Sequence, residues 1–360
     1  MNKVKLGDVC TKGTSNIKQS DLTDVSGEYP IYGASGFIKN VDFYEQEKPY
    51  VAVVKDGAGA GRVMKLPAYS SVIGTMQYII PYEDVDVSYL AYAMEYMNLS
   101  RYYMGAAIPH IYFKDYKEEK LYAYDLNDQL HIASTLDIIV KIIQTKRKQI
   151  EKLDELIKSR FVEMFGDIDL AFQKSEWKTI SQIGTVVGGA TPKTSVDEYW
   201  NGKYRWLSPA ELKEDSGYIY DSVRKITKAG IESCSLQELP IGTVILSTRA
   251  PIGKVAIAGN TFYCNQGFKC IICSKIILPR YLYSLLLYNS TYLNSLGRGA
   301  TFKEISKSIV ENILIPVPSI DLQTQFADFV TKVEQQKATV QKSIEKLETL
   351  KNSLMQEYFG

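Results

Sequence analysis

The sequence predicts an α+β chain built by internal duplication: two strand-rich globular parts, each followed by one long helix. Three observations carry this reading. The segment Ile150 to Gly166 aligns without a gap to Ile344 to Gly360, with nine of 17 positions identical. A seven-residue apolar periodicity runs up to and through each copy. Elsewhere the apolar residues come in short runs broken by turn residues, the pattern of strands.

Each element follows from its local pattern. Tyr50 to Val54, Thr243 to Ser247, Lys254 to Ala258 and Phe268 to Cys273 are β-type runs. Ser88 to Asn98 and Arg280 to Asn289 are one helical stretch in each globular part. In the first long helix Ile132, Leu136, Ile139, Ile143, Lys146, Ile150, Leu153, Ile157 and Met164 keep one seam facing a partner. In the second the same register falls on Phe326, Val330, Val333, Lys337, Val340, Ile344, Leu347, Lys351, Leu354 and Tyr358. Neither stretch contains Gly or Pro before its terminal glycine, and Pro316 and Pro318 stand just ahead of the second as an entry signal. A helix of about 36 residues would be roughly 54 Å long. Two such helices with polar outer faces predict an antiparallel coiled-coil pair rather than two core helices of a bundle.

The globular parts also correspond, at a shift of 192. Gly61-Arg62-Val63 matches Gly253-Lys254-Val255, Tyr89-Leu90 matches Tyr281-Leu282, and Tyr96, Gly105 and Glu119 match Tyr288, Gly297 and Glu311. The expected organisation is a first head over 1–126, a helix over 127–166, a second head over 167–318 and a helix over 319–360. Kept helices and varied heads describe a fixed spacer carrying two changeable reading surfaces.

Composition bounds the function. The 360 residues are 45% hydrophobic and 23% charged, with 42 basic against 41 acidic side chains, a globular composition that excludes a disordered or collagen-like chain. No apolar run approaches a membrane span, and the first ten residues lack the apolar stretch of a signal peptide. Five cysteines, an odd number, fit reduced thiols better than a disulfide framework. A soluble, cytoplasmic protein is expected. The near-zero net charge hides an asymmetry: residues 1–126 carry 13 basic and 16 acidic side chains, whereas 170–318 carry 17 and 11. The second head is the basic one.

Signs of chemistry are weak throughout. Lys55 to Val63, KDGAGAGRV, looks superficially like a dinucleotide-binding loop, but that loop must open a helix and Arg62 to Pro67 reads as a strand; a glycine-rich turn between strands is expected instead. Its counterpart, Ser247 to Val255, places Arg249 and Lys254 in and beside the turn, where the planar fork of an arginine could meet a base edge or a phosphate. Cys270 and Cys273 form a single CxxC inside an apolar run, and both histidines, His110 and His131, lie in the other half. Four metal ligands are not available there. With two histidines no Ser/His/Asp or Cys/His arrangement is credible, and no phosphate-binding or methyltransferase motif is present. A chain without catalysis of its own is expected.

Taken together, GTVVGGATPKT (Gly184 to Thr194), YRWLSPAELKE (Tyr204 to Glu214), LPIGTVILSTRAPIGKVAIA (Leu239 to Ala258), NQGFK (Asn265 to Lys269) and LIPVPSIDLQTQ (Leu314 to Gln325) resemble the specificity (S) subunit of type I restriction-modification systems. In the first half YPIYGASGFI (Tyr29 to Ile38), YVAVVKDGAGAGRV (Tyr50 to Val63) and LDELIKSRFVEMFG (Leu153 to Gly166) are similar to the same family, so the resemblance spans essentially the whole chain. The resemblance implies that each head is a target recognition domain reading one half of a bipartite, asymmetric site on double-stranded DNA. It implies that the antiparallel helices separate the heads and dock two methyltransferase (modification) subunits, and that restriction/translocase subunits join them. S-adenosylmethionine, ATP and Mg would then belong to those partners, with no cofactor and no membrane for this chain. A spacer of about 54 Å corresponds to roughly 16 base pairs.

Polar side chains near the family-like loops are the candidate DNA contacts. In the first head these are Tyr32, Ser35, Lys55, Arg62, Gln77 and His110; in the second, Thr191, Lys193, Ser208, Arg249, Lys254, Gln266, Arg298, Thr301 and Lys303. Arg and Lys can donate to guanine and Gln can pair with adenine, and any of them can instead touch phosphate. Two other readings remain open at this point: a coiled-coil scaffold whose heads bind protein or carbohydrate, and, more distantly, a methyltransferase.

Overall fold

A computed structural model describes residues 2–105, 109–172, 177–213, 217–249, 251–299 and 303–360. They gather into two compact units, 1–149 with 340–360 and 150–339. The division falls inside the long helices, Leu126–Phe165 and Ile320–Phe359, so each unit holds one head and a piece of both.

Within the first unit a four-stranded sheet runs in the order Cys10–Thr14, Met76–Pro81, Tyr50–Val54, Val63–Leu66, all neighbours antiparallel. A three-stranded sheet has Tyr29–Gly33 between Gly36–Val41 and Ser71–Val72, the latter pair parallel. Lys3–Lys5 pairs with Lys120–Tyr122. The second unit repeats that order: Gly184–Gly188, Phe268–Cys273, Val244–Ser247, Val255–Ala258, then an added Tyr218–Ile219; Trp200–Leu207 between Arg224–Ile226 and a parallel Tyr263–Cys264; and Lys178–Thr179 with Leu314–Ile315. All four β-type runs of the sequence are strands, and the glycine loop joins Tyr50–Val54 to the strand Val63–Leu66, as its pattern predicted.

The central strands Tyr50–Val54 and Val244–Ser247 are buried at every residue because both sheet faces are covered. Val51 and Val53 pack toward the helical side and Tyr50, Ala52 and Val54 toward the small sheet. In the second unit Val244 and Leu246 take the first side and Ile245 the other. The same alternation places Cys270 and Cys273, three residues apart on one strand, in different clusters on opposite faces. They cannot share a ligand. Burial pushes the Cys273 thiol up to about 12 and raises that of Cys270, so both stay protonated.

The shorter helices start where capping chemistry allows. Asp86 accepts from the N–H groups of Ser88 and Tyr89, each at 2.9 Å, and opens Val87–Tyr96. Pro279 occupies the first turn of Pro279–Tyr288, where a missing N–H costs nothing.

The aromatic residues repeated between the halves explain how each unit closes. In the first, Phe359 lies 5.4 Å from Tyr89 and 6.1 Å from Tyr96, ring to ring. In the second, Phe165 lies 4.8 Å from Tyr281, and Phe161 5.2 Å from Tyr288. The end of the second long helix therefore seals the first head, and the end of the first seals the second head. Within each unit the helix pieces run antiparallel. Arg147 pairs with Glu348 at 2.7 Å in one, and Lys337 with Asp154 in the other. Lys337, predicted on the seam, sits there with its charge matched. The predicted seam slips at the helix ends, where Met355 and Phe359 are buried instead of Leu354 and Tyr358, because a head rather than the partner helix grips that turn.

One buried residue at the start of each long helix ties it to its head. Gln129, 5% exposed, accepts from the Asp86 N–H (2.9 Å) and donates to the Tyr124 (2.9 Å) and Asp84 (3.2 Å) carbonyls. Gln323, fully buried, accepts from the Leu278 N–H (2.7 Å) and donates to the Pro318 (2.9 Å) and Ile276 (3.1 Å) carbonyls. Among the described residues no helix is long and apolar enough to cross a membrane.

Candidate functional site

In the first unit the glycine loop, the tip of the Tyr29–Val41 hairpin and the residues Met104, Pro109 and His110 meet at one surface. Gly61 has φ +85°, and a Cβ there would stand 2.5 Å from the Ser100 nitrogen, so only glycine lets the loop close on its neighbour. Gly253 keeps the same backbone, φ +93°, in the second unit. A groove of about 530 Å³ runs between Gly33–Ile38 and Asp56–Gly59 and is edged by Arg62. Ser35 is exposed at the hairpin tip, and Phe37 is 60% exposed beside it. The half-buried Tyr32 meets Phe37 edge-on at 6.0 Å, and burial raises its hydroxyl above the usual phenol range. Lys55 stands 4.0 Å from Asp56, whose carboxylate also holds His110. The His110 ring packs 4.1 Å from Tyr112.

Five of the six first-head candidates thus surround this surface. Gln77 does not. It is 2% exposed in strand Met76–Pro81, where its amide donates to the buried Tyr116 hydroxyl, so it serves the core and meets nothing from solvent.

In the second unit a continuous polar patch joins several candidates. Thr191 donates to Gln266 at 2.5 Å, and the Lys269 ammonium donates to the Gln266 carbonyl at 3.3 Å and lies 3.6 Å from Glu304. Arg249 Nε reaches Glu304 Oε2 at 2.9 Å. Arg298 pairs with Glu304 through the backbone, and Lys303 adjoins it, both with exposed side chains. Lys193 is exposed, its carbonyl accepting from the Trp200 indole at 3.2 Å. Two candidates are engaged in holding the fold. The Lys254 ammonium donates to the Leu212 carbonyl at 2.7 Å, and Ser208 donates from both N–H and hydroxyl to Glu211, at 3.0 and 2.9 Å. Arg62, the counterpart of Lys254, likewise donates to a loop carbonyl, Ala34 at 2.8 Å, but stays exposed. Thr301 lies outside the described residues.

The two surfaces are built on the same backbone. Met104 and His110 exchange N–H···O bonds of 2.9 and 3.0 Å; Arg298 and Glu304 exchange bonds of 3.0 Å. The following residue then donates to the loop after the central strand, Ile111 to Lys55 at 3.0 Å and Ile305 to Thr248 at 2.9 Å. Asp56 bridges to His110 and Arg249 to Glu304. This corrects one sequence match: Gly105, φ +97°, corresponds to Gly299, φ +122°, and not to Gly297. Asp56, Lys269 and Glu304 were not singled out in the sequence. Asp56 adjoins Lys55, and Lys269 closes the family-like NQGFK, but Glu304 carries no local signal.

The chain matches the family described as "Type I restriction modification DNA specificity domain" over residues 1–155 and 174–349. It belongs to that family. The MjaIX specificity subunit of Methanocaldococcus jannaschii, a type I restriction enzyme component, is 36% identical over 57% of this chain and 48% of its own length. The EcoR124I/EcoR124II specificity subunit of Escherichia coli is 27% identical over 47% and 44%. The chain thus spans about half the length of these curated relatives. The fold is that of the S subunit of M. genitalium, with TM-score 0.63, 16% identity and coverage of 100% of this chain and 96% of that one. A chain from a structural study of complex assembly and conformational transition in a type I system gives 0.61 at 14% identity, covering 99% and 97%. Both matched spans of this specificity-domain chain contain one of the loop-bridged surfaces, so the family's repeat and the structural repeat coincide.

Proposed function

We propose that this chain reads a bipartite, asymmetric sequence on double-stranded DNA as the non-catalytic specificity subunit of a type I restriction-modification complex. The observation that carries the reading is one backbone framework, occurring once in each matched domain, that holds different side chains at the same loop-bridged surface. A reader of two unlike half-sites needs that arrangement: fixed placement and varied contacts. Exposed Arg and Lys side chains in the second head supply donors for guanine edges and phosphates. The first head carries an excess of carboxylates and exposes the rings of Phe37 and Tyr112 at this surface.

Two methyltransferase subunits would dock on the long helices and restriction/translocase subunits on that assembly, in the cytoplasm, bringing S-adenosylmethionine, ATP and Mg with them. The test is copurification of the full chain with methyltransferase subunits, followed by adenine methylation of mixed DNA. Sequence-dependent methylation supports the reading; methylation that is independent of sequence, or no methyltransferase bound, refutes it.

A further inference from the structure

Each loop bridge carries one carboxylate and one nitrogen donor, and the two heads place them in opposite order. In the first head the acid, Asp56, is on the glycine loop and the base, His110, is on the returning segment. In the second head the base, Arg249, is on the loop and the acid, Glu304, is on the return. A carboxylate on a surface that meets phosphates is unfavourable by itself, since like charges repel. Its recurrence at this place in both heads, with the order inverted, needs a role that offsets the repulsion.

We propose that the bridge is the specificity-determining element of each head, and that Glu304 and Asp56 are positioning residues that aim Arg249 and His110 at base edges. This rests on the DNA-reading assignment above. Glu304 takes the Arg249 Nε–H at 2.9 Å while nearly half of that side chain stays exposed, and among the described residues neither terminal nitrogen has a hydrogen-bond partner. The guanidinium can then approach only end-on, with one N–H from each terminal nitrogen directed at two neighbouring acceptors. Guanine N7 and O6 in the major groove are such a pair. Lys269, with 11% of its side chain exposed, lies 3.6 Å from the other Glu304 oxygen and neutralises the carboxylate from below. In the first head Asp56 occupies His110 Nδ1, which leaves Nε2 as the single ring nitrogen for one hydrogen bond. The second head therefore reads one guanine strongly, and the first head discriminates less at the equivalent position.

The test uses the full chain in complex with its methyltransferase subunits and a substrate library carrying every single-base change in both half-sites. The wild-type complex should prefer guanine at one position of one half-site by about tenfold or more. Arg249→Lys, which keeps the charge and removes the fork, and Glu304→Ala, which keeps the arginine and frees it, should each flatten that preference. Total DNA affinity should stay the same or rise in Glu304→Ala, and the other half-site profile should not change. Asp56→Ala should alter only the half-site left untouched by those two. A wild-type base profile retained in both Arg249→Lys and Glu304→Ala overturns the proposal. So does a uniform loss across all sequences with a lowered melting temperature, which would make the pair purely structural. If the wild-type complex itself shows no base preference, the DNA-reading assignment has failed instead.

Discussion

Replacing Gln323 by Leu tests how the long helix is fixed to its head. The amide is fully buried and makes three hydrogen bonds, accepting from Leu278 N–H and donating to the Ile276 and Pro318 carbonyls. Leucine fills the space but orphans one N–H and withdraws a donor from two carbonyls. An orphaned buried group costs about 1–3 kcal/mol, the N–H toward the upper end because it has no second partner to turn to. A loss of about 3–4 kcal/mol follows for the unit over 150–339. At roughly 2–4 °C per kcal/mol for a unit of that size, its melting transition should fall by about 10 °C. Urea unfolding of the full chain and calorimetry read both quantities. A loss below about 1 kcal/mol would refute the claim that this clamp, rather than the apolar seam alone, seats the helix.

Four further outcomes follow from the structure and the charge balance. Phe359→Ala should cost about 3–5 kcal/mol in the transition of the other unit, because it removes a buried ring from Tyr89 and Tyr96, and urea denaturation checks it. Desolvation raises the hydroxyls of Tyr50, Tyr89, Tyr116 and Tyr281. A raised acid contributes stability that is intact below its unfolded value, about 10 for these hydroxyls and about 8.5 for the buried thiols of Cys10, Cys270 and Cys273, and is lost as pH climbs toward the folded one, so unfolding free energy should begin to fall above about pH 8 and fall more steeply beyond about pH 10. Burial also lifts the Cys10 thiol to about 12, as it does Cys273, so a thiol reagent at pH 8 should label the partly exposed Cys234 first and reach Cys10, Cys264 and Cys270 only on unfolding. Finally, the chain alone should bind DNA weakly and lose that binding as salt rises; tight, salt-insensitive binding would contradict the acid-rich first head.

Much of this architecture was legible because periodicity records burial. The seven-residue seam found the helices, and the strand runs announced themselves through apolar residues on both faces. What the pattern could not show was which polar residues are turned inward. Gln77 reads as a surface group until the Tyr116 hydroxyl is seen beneath it, and Gln129 and Gln323 look like ordinary helix-start residues until their backbone partners arrive from 43 to 47 positions away. Phe161, 2% exposed, falls outside the seven-residue register because it packs at once against Phe326 of the other long helix and against Tyr281 and Tyr288, aromatics of the second head. The site suffered most. Glu304 and Asp56 matter through pairings across 55 and 54 residues, and no local spacing encodes these. Glycine matches were equally ambiguous, since Gly297 and Gly299 are alike in sequence and only the backbone tells which one bends like Gly105.

The most direct measurement is a base-resolution methylation map of random-sequence DNA exposed to the chain assembled with its methyltransferase subunits. The account predicts methylated adenines within two short, unlike motifs held at one fixed, unread separation. A single contiguous motif, or methylation scattered without regard to sequence, would contradict it.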